Sequence, residues 1–294
     1  MSGALRQSIP YPVKAAATRV RSAAWTARTR GRPDVSGLRV LLYHRVSDDD
    51  DPLAVTPARF REQMDVLASA GYGVVDLLEA LALLDGGVLP PRTIGLTFDD
   101  GFTDVRDAAL PVLMKHGFRA TVFVTTGVID GRSSFPWYQH QPPVLGWDEI
   151  TELDRQRTLR FEAHTVSHPN LLAVDAATAA AEIGDCRSEL EQRLGREVHA
   201  FAYPAGLYGE RERRLVAEAG YGAAVTCEPG VNALGTDRLA LRRRQIDSRD
   251  RLIDFRAKVG GGHDTPLPLR RLYRRVRYGM TEPADLPARA SSRA

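Results

Sequence analysis

An apolar run that ends in two carboxylates fixes a strand and a site at once: residues 94–98 are Ile-Gly-Leu-Thr-Phe, and Asp99, Asp100 and Gly101 follow. The run reads as a buried strand, and adjacent acids at its end are costly to bury without partners. Neighbouring side chains on a regular strand point to opposite faces. Both acids therefore reach one site only where the strand breaks, and Gly101 supplies the break. An isolated Asp-Asp-Gly is more often a turn or a helix N-cap than a site. Here a complement stands further along, in His164-Thr165-Val166-Ser167-His168-Pro169. On a helix the i,i+4 spacing would put both imidazoles on one face. Pro169 biases His168 away from helical dihedrals, so a tight loop or single turn is expected. One carboxylate and two imidazoles make a three-ligand site for a divalent cation, with open positions for water and substrate. The other carboxylate is then free to act as a base, and the set reads as a metal-assisted hydrolase.

That strand belongs to a longer alternation. Strands are expected over residues 39–43, 94–98, 121–124, 159–163, 198–203, 223–226 and 239–246. Between them, Thr56-Pro57 opens a helix that Gly71 closes, and helical segments cover about 76–84, 105–115, 147–155, 176–194, 210–219 and 252–259. Repeated βα units imply a mostly parallel sheet, open or closed into a barrel. In a barrel, functional residues gather at the C-terminal ends of the strands. The candidates stand there: His44, Asp99 and Asp100, His164, and Tyr203-Pro204.

Charge divides the chain. Residues 1–33 carry seven Arg or Lys and no acid, and residues 263–294 carry seven Arg and three acids, although the net charge is only +3. The body between is therefore acidic, unlike a nucleic-acid-binding domain with its basic folded face, and no nucleic-acid partner is expected. The expected organisation is a basic extension over residues 1–35, one domain over 36–262 and a basic tail over 263–294. The ends read either as solvated tails or as contacts with an anionic membrane surface, where each Lys or Arg contributes on the order of 1 kcal/mol. No stretch approaches the roughly 18 apolar residues that span a bilayer. Arg19, Arg21, Arg28 and Arg30 interrupt every early apolar run, so no secretory signal is expected. Cys186 and Cys227 are too few for a disulfide framework and read as reduced packing residues of a cytoplasmic protein.

Together, T-F-D-D-G and H-T-V-S-H-P resemble the polysaccharide deacetylases of carbohydrate esterase family 4, built on the NodB homology domain. Phe201-Ala202-Tyr203-Pro204-Ala205-Gly206 is similar to that family's third motif. Leu42-Tyr43-His44-Arg45-Val46 resembles the branch of poly-β-1,6-N-acetylglucosamine deacetylases, with its early Y-H-x-V strand. The resemblance covers about residues 38–260 and implies an α/β fold, an irregular (β/α)7 barrel. It further implies that Asp100, His164 and His168 bind the metal and that Asp99 is the general base. Backbone N–H groups near Tyr203 resemble the family's oxyanion stabiliser. Most members take the general acid from a histidine near the C-terminal end. Here Leu239-Ala240-Leu241-Arg242-Arg243 occupies that region, and His263 lies beyond it. In the resembling branch the acid comes from the N-terminal strand, which makes His44 the candidate, although His44 alone reads equally well as a core histidine. The arginine that orients the base in the family's R-P-P-Y motif is missing, and Arg242 or Arg243 is the expected substitute. The family's Asp-x-x-x-Trp motif is not evident.

Other candidates are weaker. His116 and His199 have no partners visible in sequence. The aromatic stretch Phe135-Pro136-Trp137-Tyr138 reads as a sugar-stacking surface or as a loop anchor, and Ser47-Asp48-Asp49-Asp50-Asp51 reads as a solvated acidic run. The expected activity is metal-dependent removal of N-acetyl groups from amino sugars of a polysaccharide or glycan precursor, as in exopolysaccharide biosynthesis. The expected cofactor is Zn²⁺, with Co²⁺ or Ni²⁺ as alternatives. The expected partner is an N-acetylated glycan or lipid-linked sugar, met in the cytoplasm at the inner membrane face. The alternatives are a deacylase of another amide or O-acetyl ester, and a glycan-binding protein without activity.

Overall fold

The computed structural model describes residues 11–265; the first ten residues and the segment from 266 onward, which holds most of the expected C-terminal tail, lie outside the described residues. In chain order the elements are helix α1 (Tyr11–Thr29), strands β1 (Arg39–Tyr43), β2 (Arg45–Val46) and β3 (Ala54–Val55), helix α2 (Pro57–Ser69), strand β4 (Gly73–Val75) and helix α3 (Leu77–Asp85). Strand β5 (Thr93–Asp99), helix α4 (Leu110–His116), strand β6 (Ala120–Val124), helices α5 (Thr126–Ile129) and α6 (Trp147–Arg155) and strand β7 (Leu159–Ala163) follow. Helix α7 (Ala176–Leu194), strand β8 (Ala200–Ala202), helix α8 (Glu210–Glu218), strands β9 (Ala223–Val225) and β10 (Arg244–Gln245) and helix α9 (Leu252–Val259) complete the order.

Local chemistry sets these boundaries. Thr56 caps α2 through its side chain on the Arg59 N–H, with Pro57 in the first turn. Asp76 and Asp175 cap α3 and α7 in the same way, and Gly117 and Gly195 close α4 and α7 in the left-handed conformation. The helix expected over 105–115 begins instead as a π-helical turn, Val105–Ala109, and becomes α-helical from Leu110. Pro111 explains this, because it has no N–H to offer the preceding turn.

The sheet is parallel throughout, as the βα alternation requires. Seven strands run in the order β10-β1-β5-β6-β7-β8-β9, β4 pairs with the start of β5, and the sheet curls into the half-barrel of a (β/α)7 fold. The last strand expected over 239–246 is reduced to Arg244–Gln245 beside β1. The segment changes neighbours midway: Leu241 bridges to Val225 of β9, whereas the Ile246 N–H donates to Leu42 O in β1. It thus joins the two edges of the curl.

Alternation along β5 separates two cores. Leu96 and Phe98 pack with Leu41, Tyr43, Phe60 and Met64 on one face, and Tyr43, Phe60 and Phe98 contact one another with ring centroids 5.4–5.9 Å apart. The second core joins Val40, Phe123, Ala202, Val225 and Leu241 with Leu77, Ala80 and Leu84 of α3. Thr97 and Asp99 share the face opposite Phe98. The N-terminal helix docks on α9 and the turn after it: Arg19 bonds Asp254 (2.9 Å), Arg21 bonds Gly262 O (2.9 Å), and buried Trp25 packs over Gly260 and Gly262. Among the described residues, no helix is long and apolar enough to cross a membrane.

Candidate active site and metal centre

The end of β5 is built to turn two acids into one site. Asp100 and Gly101 both have positive φ, +77° and +73°. A Cβ on Gly101 would lie 2.8 Å from Val124 Cγ1, so the break admits only glycine without rearrangement. Asp99 and Asp100 are both buried. Asp99 is gripped by Arg243 in a two-pronged pair, Nη1–Oδ1 2.6 Å and Nη2–Oδ2 2.7 Å. Arg243 is fully buried, donates also to Thr226 O (2.9 Å) and Thr97 Oγ1 (3.2 Å), and lies 5.5 Å over the Phe123 ring. Burial pushes the Asp99 carboxyl up. Arg243, His164 and His44 outweigh burial, and the net effect holds it below the usual carboxylate range. Of the two arginines the sequence offers, Arg242 turns instead toward Val231 O.

Asp100, His164 and His168 converge, each offering one ligand atom within 4.8 Å of the others. His164 Nε2 and His168 Nε2 lie 3.6 and 3.9 Å from Asp100 Oδ1, beyond hydrogen-bonding distance but suited to sharing an ion. His164 Nδ1 is 2.7 Å from Ala202 O, an arrangement that makes Nδ1 the donor and leaves Nε2 with its lone pair toward Asp100. Burial, the largest effect at both rings, lowers their proton affinity below the ordinary histidine value. Two neutral imidazoles and a carboxylate are the donor set a divalent cation takes, and the residues fit it. The histidines occupy a tight loop in which Thr165 and His168 have φ of +69° and +57°. Thr165 Oγ1 stitches it, donating to His164 O (2.5 Å) and accepting the His168 N–H (3.0 Å).

His44 follows β1 at the same end of the sheet. It is half-buried, and its Nδ1 has no hydrogen-bond partner among the described residues. Burial pushes the imidazole down to about 4; Asp99 pulls it up, and Arg243 and His164 push it down, so all four groups share one electrostatic field. Tyr203 follows β8. Its ring is buried between Phe201 and Tyr208, its hydroxyl donates to Leu239 O (3.0 Å), and its backbone N–H donates to Val225 O (3.2 Å). Pairing with β9 thus occupies the N–H of Tyr203 itself. In the turn that follows, Gly206 and Leu207 donate to Tyr203 O and Pro204 O, and Pro204 has no N–H. Exposed Ala205, at φ +53°, stands between them.

The aromatic stretch borders the Asp100–His164–His168 cluster. Trp137 stacks on Phe135 (5.0 Å) and meets the His168 ring edge-on at 4.7 Å, while Phe135 packs on Phe102. The acidic run is not uniformly solvated. Asp48, Asp49 and Asp50 are exposed, but Asp51 is buried, accepts the Tyr138 hydroxyl at 2.5 Å and lies 3.5 Å from Arg45. Arg45 also pairs with Asp104 (2.9 Å) and Asp49 (2.7 Å). His116 pairs with Asp65 on the surface, His199 is half-buried beside Glu197, and His263 is buried against Ser22; none reaches the site. Sequence reasoning gave no role to Arg45, read Asp51 as solvated, and missed Glu182, which bonds Ser167 in the loop between His164 and His168. The partner of a single charged residue lies elsewhere in the chain and leaves no periodic signal of such a contact.

Residues 86–224 match the polysaccharide deacetylase family model. The chain is 28% identical over 210 residues to YxkH of Bacillus subtilis (strain 168), assigned to the polysaccharide deacetylases, with 71% of each chain covered. It is 25% identical over 175 residues to the poly-β-1,6-N-acetyl-D-glucosamine N-deacetylase of Staphylococcus aureus (strain MRSA252), covering 57% of this chain and 59% of that enzyme's length. The Streptococcus pyogenes deacetylase PplD, solved with acetate, superposes with a TM-score of 0.64 at 26% identity, covering 74% of this chain and 96% of that one. Fold, motifs and matches agree: residues 86–224 carry a polysaccharide deacetylase domain, of the NodB type of carbohydrate esterase family 4.

Proposed function

We propose that this chain is a metal-dependent hydrolase that removes N-acetyl groups from amino sugars of a polysaccharide or glycan precursor, releasing acetate and leaving a free amine. One observation carries the reading: Asp99 is locked to Arg243, while its neighbour Asp100 faces two neutral imidazoles. Adjacent carboxylates in such different surroundings suit different roles. Asp100, His164 and His168 would hold the cation, with Zn²⁺ the first choice for this donor set and Co²⁺ or Ni²⁺ able to serve. When bound, the cation supplies Lewis acidity toward the acetyl carbonyl and toward a water. Asp99 takes the proton of the attacking water, and Arg243 keeps Asp99 ionised and aimed. The Ala205 N–H, in a turn whose other donors are committed, is the proposed donor to the carbonyl oxygen, in place of Tyr203. The C–N bond then breaks, and the nitrogen must gain a proton because an amide nitrogen leaves poorly as an anion. His44, neutral at pH 7, accepts the proton that Asp99 took from the water and passes it to that nitrogen, which returns Asp99 to its ionised form.

The sugar substrate is proposed from the family and from the named relatives, as an N-acetylglucosamine-type residue in a glycan or lipid-linked precursor. A cytoplasmic position at the inner membrane face is proposed from the basic ends. Arg28, Arg30 and Arg32 are exposed at the end of α1, whereas Arg19 and Arg21 turn inward. Replacing those three exposed arginines should reduce co-sedimentation with anionic vesicles; unchanged binding would remove that proposal. For the activity, acetate release is measured from N-acetylglucosamine oligomers, lipid-linked N-acetyl sugars and O-acetyl esters, with chelator or added Zn²⁺. Zn²⁺-dependent release from N-acetyl substrates is expected. Release from O-acetyl esters alone, or none from protein holding one metal per chain, contradicts it.

A further inference from the structure

The two histidines of the metal centre are held in unequal ways. His164 extends the end of β7: its N–H donates to Val124 O at 2.9 Å and its ring is tied to Ala202 O. His168 lies four residues into a loop in which it and Thr165 both adopt positive φ, a region that side-chain-bearing residues keep only where their surroundings impose it.

Two neighbours grip the loop from opposite sides. The start of α5 donates the Thr126 N–H to Thr165 O (3.3 Å) and the Gly127 N–H to Val166 O (2.8 Å); a Cβ at Gly127 would lie 2.6 Å from that oxygen. From α7, the Glu182 carboxylate accepts both the Ser167 N–H (2.8 Å) and the Ser167 hydroxyl (2.5 Å). Ser167 immediately precedes His168, so this pair of charge-assisted bonds fixes the peptide that sets the direction of the His168 ring. Trp137 and Phe135 flank the ring edge-on at 4.7 and 5.7 Å.

We propose that Glu182 is a positioning residue for the divalent-cation site. Through Ser167 it holds His168 in the left-handed conformation that turns Nε2 toward Asp100, and so sets the affinity of the site for its cation. The proposal rests on the metal reading of Asp100, His164 and His168. It assigns the carboxylate no role in the chemical step.

The test is Zn²⁺ and Co²⁺ affinity of metal-free protein, by competition with a chromophoric chelator, beside the thermal melt of the same metal-free samples. Glu182→Ala should weaken binding roughly 10- to 100-fold, the usual effect of removing a group that orients a metal ligand. It should also alter the visible absorption of the Co²⁺ form, as loss of one imidazole does. Ser167→Ala, which keeps the N–H bond, and Glu182→Gln, which keeps one acceptor oxygen, should weaken binding less. The metal-free melts should change little across the series. Should Glu182→Ala fail to fold, the Glu182→Gln and Ser167→Ala pair carries the test. Wild-type affinity and Co²⁺ spectrum in these variants, with a lowered melt, would overturn the proposal and make Glu182 a purely structural contact. Failure of the wild type itself to bind, to the same degree as Asp100→Asn, would overturn the metal reading and this inference together.

Discussion

Asp99 can serve as a base only if it stays ionised in a dry site and keeps its oxygens oriented. Arg243 meets both needs, because a guanidinium matches two carboxylate oxygens at once. A lysine offers a compact charge without the fork. Arg243→Lys should therefore lower kcat at least about tenfold, within the roughly 10²- to 10⁴-fold that acid–base catalysis supplies. Metal content should be unchanged, and metal analysis beside acetate release checks both. The clustering of Asp100, His164 and His168 was readable in sequence because two spaced motifs of rare composition each ended a strand. Arg243 was readable only as one of two, since it lies in a run of three arginines and only the fold decides which one faces Asp99. Which N–H near Tyr203 stays uncommitted was not readable, because Val225, the partner of the Tyr203 N–H, belongs to a strand that sequence alone does not align with it.

At the scale of elements, the site stands on strand ends, whereas one wall of it stands on a loop. The aromatic segment is anchored by the Tyr138 hydroxyl on Asp51, which in turn neighbours Arg45 one residue after His44. Tyr138→Phe leaves Asp51 with Arg45 and the Leu53 N–H, so the loss should be about 1–2 kcal/mol of stability. The loop bearing Trp137 should loosen, raising KM for a glycan oligomer while kcat stays near wild type. A larger fall in kcat than rise in KM would contradict that assignment. Most element boundaries were legible because Thr56, Asp76, Asp175, Gly117 and Gly195 are caps with a local mechanism. The last strand was not, because residues 241–246 change partners midway, and pairing partners are a non-local property. Asp51 was read as solvated for a like reason: its burial comes from a loop far along the chain.

Across the whole molecule, α1 and the turn after α9 bury a polar contact remote from the site. His263 Nε2 lies 3.0 Å from Ser22 Oγ. Burial, with Lys258, Arg244 and Arg21 adding to it, pushes the ring down to about 2. In the unfolded chain the ring takes up a proton near its ordinary 6.5. Below that value the unfolded state binds the extra proton, so stability present above pH 6.5 is lost as pH falls from there toward 2. Thermal midpoints should drop further between pH 7 and pH 5 for wild type than for His263→Gln, and equal drops would show that His263 is not the source. The chain's charge asymmetry was legible at once, but this docking was not: no motif in residues 11–29 announces that Trp25 will seat on Gly260 and Gly262.

The central claim is that adjacent carboxylates divide the work, Asp100 holding the cation and Asp99 moving the proton. Metal content and acetate release, measured together on wild type, Asp99→Asn and Asp100→Asn, test it most directly. The account predicts that Asp99→Asn keeps one metal per chain and loses release by roughly 10²-fold or more, while Asp100→Asn loses both. Near-wild-type release from Asp99→Asn, or full metal content in Asp100→Asn, would contradict it.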